Sequence, residues 1–253
     1  MLYAALTFWL LVIVFAAWGV HGLWSRLIKP RVVNSILLPG TLVAQLGHVL
    51  GLLVTGNPVR NTQLMGDDEK GEPTSEGPEK HNIPVLGAVL VGLLPLVACA
   101  ACLWAAARYL GQGILGKQAT EGGAWSVPQE LPTTLDGAWN LLHQALDVSQ
   151  AVLDGILHSN LTDWRNALFV YLAVCLTVRM TPIEGNRRGA VGAIVLFGVL
   201  TAIVGQLWPA GADAIASSWP ILSFAVGMLL FLLLVSLLIS GIVGLVRIVA
   251  RQE

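Results

Sequence analysis

Two stretches of this sequence carry no charge at all, residues 1–25 and 221–246. A helix rises about 1.5 Å per residue, so roughly 20 apolar residues cross a hydrocarbon layer of about 30 Å. Both stretches are long enough to do so. Four further apolar runs follow the same logic. The pattern predicts six spans, at about 2–24, 32–54, 83–109, 164–181, 189–208 and 221–249. The second is interrupted by Asn34, Ser35 and Pro39; the third has Pro84 near its start and Pro95 inside it. The first span lacks a basic leading region and a small-residue cleavage site, so it reads as a retained anchor. The fold class expected is an all-α polytopic bundle in one membrane domain.

Between the spans the pattern changes twice. Residues 55–82 form a polar loop; within it 66–80 hold six acids, two lysines and several Gly and Pro, a composition that cannot bury enough apolar area to fold alone. Residues 135–157 alternate differently. Leu135, Trp139, Leu142, Leu146, Ala151, Val152 and Ile156 recur at roughly helical spacing, with Asp136, Asn140, Gln144, Asp147 and Asp154 between them. This predicts an amphipathic extramembrane helix that lies on the membrane surface, caps the bundle or docks a partner.

Six alternating spans put both termini on one side. Eight basic residues then lie on that side and six on the other, which favours cytoplasmic termini. The same alternation puts Trp24, Trp164, Trp208 and Trp219 on one face, as an interfacial belt.

Composition sharpens the class. Hydrophobic residues make up 55% of the 253, charged residues 11%, and the mean hydropathy is +0.74. A soluble domain carries about 25% charged residues. The net charge of −1 gives no reason to expect nucleic acid. Membrane lipid and other membrane-protein subunits are the expected partners, and a bacterial inner membrane the expected location. Cys99 and Cys102 form C-A-A-C inside an apolar run and read as small packed residues, because a redox pair belongs in a βαβ setting. The spans hold almost no acids or bases, which argues against a pump.

Residues 38–55 carry the most chemistry: L-P-G-T-L-V-A-Q-L-G-H-V-L-G-L-L-V-T. Pro39 suits a first helical turn. Thr41, Gln45, His48 and Thr55 then share one helix face, with Ala44, Gly47 and Gly51 beside them. Such a stripe must face other helices or a cavity, since a polar group unsatisfied in lipid costs several kcal/mol. Gly47 and Gly51 also form G-x-x-x-G, a helix-packing pattern.

The run P-G-T-L-V-A-Q-L-G-H resembles the zinc helix of site-2-protease-type membrane metallopeptidases, which carry H-E-x-x-H on a transmembrane helix. In that motif two histidines bind zinc and the glutamate acts as general base. The resemblance extends loosely over residues 36–192. It implies that Ala44 and His48 hold the two histidine positions and Gln45 the glutamate position, with Asn186 or Glu184 nearest the third ligand. Ala44 has no donor atom, Gln45 no useful basicity, and Asn186 is a poor zinc ligand. The resemblance therefore implies a degenerate metallopeptidase, with no catalytic residues and no cofactor, His48 being the one remnant ligand. Its role would be that of a structural or regulatory subunit. The alternative is a zinc protease inactivated by substitution, for which zinc would be the cofactor; a bundle subunit of unrelated ancestry is the third reading.

Two L-D-G runs, at 135–137 and 153–155, mimic the third-ligand motif of that family, but fall in the amphipathic segment and read as solvated aspartates. His21, His81, His143 and His158 are scattered. Ser236, Ser240 and Gly244 recur every four residues in the last span and predict a close-packing seam.

Overall fold

The computed structural model describes residues 2–63, 74–76, 86–115, 126–132, 134–180, 187–207 and 210–250. Among these the chain is a helical bundle: α1 (Leu2–Leu27), α2 (Pro30–Ile36), α3 (Leu38–Val54), α4 (Leu86–Tyr109), α5 (Gln112–Leu115), α6 (Leu135–Leu157), α7 (Trp164–Val178), α8 (Arg187–Leu207) and α9 (Ala210–Ala250). One short antiparallel pair, β1 (Arg60–Gln63) with β2 (Thr74–Glu76), lies between α3 and α4. The acidic run at 66–80 falls largely outside the described residues, as do His81, Glu184, Asn186 and Trp208.

Three of these helices are long and apolar enough to cross a membrane, α1, α4 and α9, or four if the bent α2–α3 pair counts as one. The long apolar helices are compatible with a membrane-embedded protein. The expected count of six is not reproduced on this measure, because α7 and the apolar part of α8 (Ile194–Ile203) are shorter.

The expected second span is two helices. The chain bends by 76° at Leu37, between α2 and α3. Two prolines set this up: Pro30 opens α2 and Pro39 opens α3, each in the first turn where a missing N–H costs nothing. The residue before a proline disfavours the helical region, so a helix running into Pro39 tends to end there. The C-terminal end of α2 is held by α7: Tyr171 donates from its hydroxyl to the Ile36 carbonyl at 2.8 Å, and the Cys175 thiol donates to the same oxygen at 3.4 Å.

α1 sits at the centre, burying Ala5, Trp9, Ile13, Ala17 and Val20 against α7, α8 and α9. Its run beside α9 is parallel. Trp9 and Trp219 donate to the adjacent Pro128 and Val127 carbonyls, at 2.9 and 2.7 Å. Further along, Leu233 lies against Gly19, and Trp24 donates to the Ser236 hydroxyl at 2.8 Å. Both contacts advance together along the two helices. This corrects the expected tryptophan belt: Trp24 and Trp219 lie at opposite ends of the bundle, and Trp219 is buried with its N–H committed to a backbone carbonyl.

α6 occupies the bounds its periodicity predicts. Thr134 caps it, accepting from the Gly137 N–H at 3.1 Å, and so satisfies one of the four orphan donors of the first turn. Its inner face, Ala145, Val148, Ser149 and Val152, packs on α9 around Gly227, where an added Cβ would lie 2.8 Å from Val148. Asp136, Asp147 and Asp154 are exposed along the opposite face.

Candidate functional site

The site is built on α3, whose polar stripe points inward. Thr41, Ala44, Gln45, Gly47, His48 and Gly51 are all buried, while Leu42, Leu46, Leu50 and Leu53 face outward. The small residues make this burial possible. A Cβ at Gly47 would fall 2.6 Å from the Leu94 carbonyl oxygen and 2.7 Å from the Pro95 Cα; one at Gly51 would fall 2.9 Å from the Val91 Cα. One at Gly40 would overlap the Cys175 backbone, 2.6 Å from its carbonyl carbon. α3 therefore lies backbone to backbone against α4 and α7. Against α4 it runs antiparallel, since Gly47 meets Pro95 and Gly51 meets Val91.

Within this contact the polar side chains divide into two groups. The threonines turn back on their own helix: Thr41 donates to the Leu37 carbonyl at 3.0 Å and Thr55 to the Gly51 carbonyl at 2.8 Å. Asn57, past the helix end, donates to the Thr55 hydroxyl at 2.8 Å, and Gly56 makes the turn between them at φ 68°. Only a residue tolerant of the left-handed region fits there.

Gln45 and His48 make no such bond. The His48 ring faces the Val91 backbone on α4. Pro95 stands four residues later and has no N–H for the Val91 carbonyl, so the imidazole faces the turn where the α4 ladder is open. Its Nε2 then has no partner among the described residues, and neither do the amide nitrogen and oxygen of Gln45. A buried polar atom left this way costs about 1–3 kcal/mol, so three together mark a place where the interior is incompletely satisfied.

Ala44 is buried beside them and brings no donor atom. Among the described residues no three His, Cys, Asp or Glu side chains converge. Zinc takes four ligands, three of them from protein even in catalytic sites. One imidazole next to an alanine and an amide does not fit that requirement, and no chemistry through zinc follows from these residues. The third-ligand positions Glu184 and Asn186 lie outside the described residues. The L-D-G aspartates, Asp136 and Asp154, are on the exposed face of α6. Cys99 is buried, Cys102 exposed, and both thiols are free.

A second polar cluster went unread in the sequence. Asn34 on α2 accepts from the buried Arg179 guanidinium at 2.6 Å, and its Oδ1 lies 3.3 Å from His21 Nε2 on α1. Three helices thus meet at one amide oxygen. The signal was present, since Asn34 interrupts an apolar run and Arg179 ends one. Gly40 lies against the Arg179 stem, which places this cluster at the foot of α3.

The small-residue seam on α9 is divided. Ser236 is buried and accepts from Trp24, Ser240 is half-buried, and Gly244 has open space around it among the described residues.

Compared with known proteins, the chain matches no family model, no curated protein and no solved structure.

Proposed function

We propose that this chain is a non-catalytic membrane protein on a scaffold similar to the site-2-protease-type metallopeptidases, acting as a structural or regulatory subunit that binds other membrane proteins. The observation that carries this is the α3 face. Ala44, Gln45 and His48 stand in the register of a zinc helix and are buried side by side, yet they bring one imidazole, and it faces the Val91 backbone. That place for His48 is structural, in the α3–α4 contact where Pro95 opens the ladder. A protein that binds partners in lipid needs packing surface, since apolar area alone drives no association there. The stretch of α9 beyond Ser236 offers it: Leu238, Ile239, Ile242, Leu245 and Val246 are exposed along one side of the helix, and Gly241 and Gly244 have open space around them among the described residues.

Site-specific photocrosslinking tests this in the host membrane. A photoreactive residue at Ile242 should crosslink to another polypeptide, while one at Leu46 on the outer face of α3 should give lipid adducts. Lipid adducts alone at Ile242, with a monomeric mass for the extracted protein, would contradict the subunit reading.

A further inference from the structure

We infer that α2 and α3 form a re-entrant element, entering and leaving the membrane on one face, and that the chain crosses five times, with its termini on opposite faces. The directions of the helices carry this. α1 and α9 run parallel, from the Trp9–Trp219 end to the Trp24–Ser236 end. α7 runs the same way. Phe169 stacks on Phe224 at 5.7 Å between ring centroids, and Arg179, ten residues on, reaches Asn34 at the level of His21.

α4 runs the opposite way. Gly113, just past its end, lies against Asn166 at the start of α7. α3 is antiparallel to α4, through the Gly47–Pro95 and Gly51–Val91 contacts. So α3 runs in the same direction as α1. Two consecutive spans joined by a tight turn must run oppositely; these do not. α2 instead lies across the bundle, at 76° to α3, between the His21 level and the Cys175 level where Gly40 begins α3, and α3 runs from there toward the face that α1 reached.

A broken helix at membrane depth is tolerated only where protein covers its free backbone groups. Here the Tyr171 hydroxyl and Cys175 thiol cover the Ile36 carbonyl, and Asn34 is locked between α1 and α7. The crossings are then α1, α4, α7, α8 and α9. α7 is the shortest at about 22 Å, and it is the helix beside which α2 re-enters.

Charge agrees with this arrangement. Among the described residues, Arg26, Lys29, Arg31, Arg60, Arg187, Arg188 and Arg247 fall on one face. Arg108 and Arg165 fall on the other, and Arg179 is buried. The weak bias of the alternating arrangement becomes strong, and by the positive-inside rule the seven mark the cytoplasmic face. The N-terminus lies outside, the C-terminus inside. Gln45 and His48 then belong to an element entered from the cytoplasm.

Single-cysteine labelling with a membrane-impermeant maleimide decides this in a Cys-free background. Lys29→Cys and Gln63→Cys should both lose labelling in intact cells and regain it in inverted vesicles; Arg31→Cys and Arg60→Cys serve as a second pair. Gln118→Cys and an N-terminal epitope should be reached from outside, and Gln252→Cys only from inside. Lys29 and Gln63 on opposite faces would overturn the re-entrant element. An N-terminal epitope on the same face as Gln252 would overturn the five crossings, and the whole pattern inverted would overturn the orientation.

Discussion

His48 faces the turn of α4 that Pro95 opens. The proline leaves the Val91 carbonyl without its helical donor, and an imidazole from the neighbouring helix lies beside it. The two residues should therefore be coupled. With Pro95 present, His48→Ala leaves that carbonyl without the ring beside it and should destabilise by about 1–3 kcal/mol. In a Pro95→Ala background the ladder is restored and the same change should cost much less. A double-mutant cycle on detergent-solubilised unfolding measures the difference, and additive effects would mean the ring's approach is incidental.

Gly47 brings α3 into backbone contact with α4. A leucine there has nowhere to go but into the Leu94–Pro95 backbone. Gly47→Leu should destabilise by about 3 kcal/mol or more, at the upper end of overpacking. Gly241→Leu, with open space around it among the described residues, should change the melting temperature little. Equal effects from the two would show that the α3–α4 approach is looser than described.

Arg179 is a buried cation whose guanidinium donates to Asn34. Hydrogen bonds to charged groups are worth about 1.5–3 kcal/mol, so Asn34→Leu should cost that much. Arg179→Met with Asn34→Leu should be less harmful than the sum of the single changes, because replacing both partners strands neither. Thermal unfolding of the four variants reads this directly.

Ser236 accepts from Trp24 where α1 meets α9. Ser236→Ala should lose about 1 kcal/mol. Gly244→Leu should leave the isolated chain unaffected and weaken only its association with a partner. Loss of monomer stability on Gly244→Leu would show that the seam packs within the chain instead.

Much of this architecture could be read from the pattern of residues, and what could not has a physical cause. The bounds of α6 follow from its periodicity and from Thr134 as a cap, and the inward face of α3 follows from where Thr41, Gln45 and His48 recur. Hydropathy reports how apolar a run is, not which way it points. Residues 32–54 therefore read as one crossing, although Pro39 and the polar pair Asn34–Ser35 marked the place where the chain turns. The same blindness put Trp24 and Trp219 on one face. Arg179 counted as a loop charge, because a cation at the end of an apolar run looks the same whether it meets water or a buried amide. The approach of His48 to Val91 depends on two residues 43 apart in the chain meeting in register, which no local pattern encodes.

The proposal that His48 serves packing on the α3 face, without a metal, is tested most directly by elemental analysis of protein purified without chelator, with His48→Ala alongside. The account predicts far less than one zinc per chain, unchanged by that substitution. One zinc per chain that disappears with His48 would contradict it, and would return this face to the metallopeptidases it resembles.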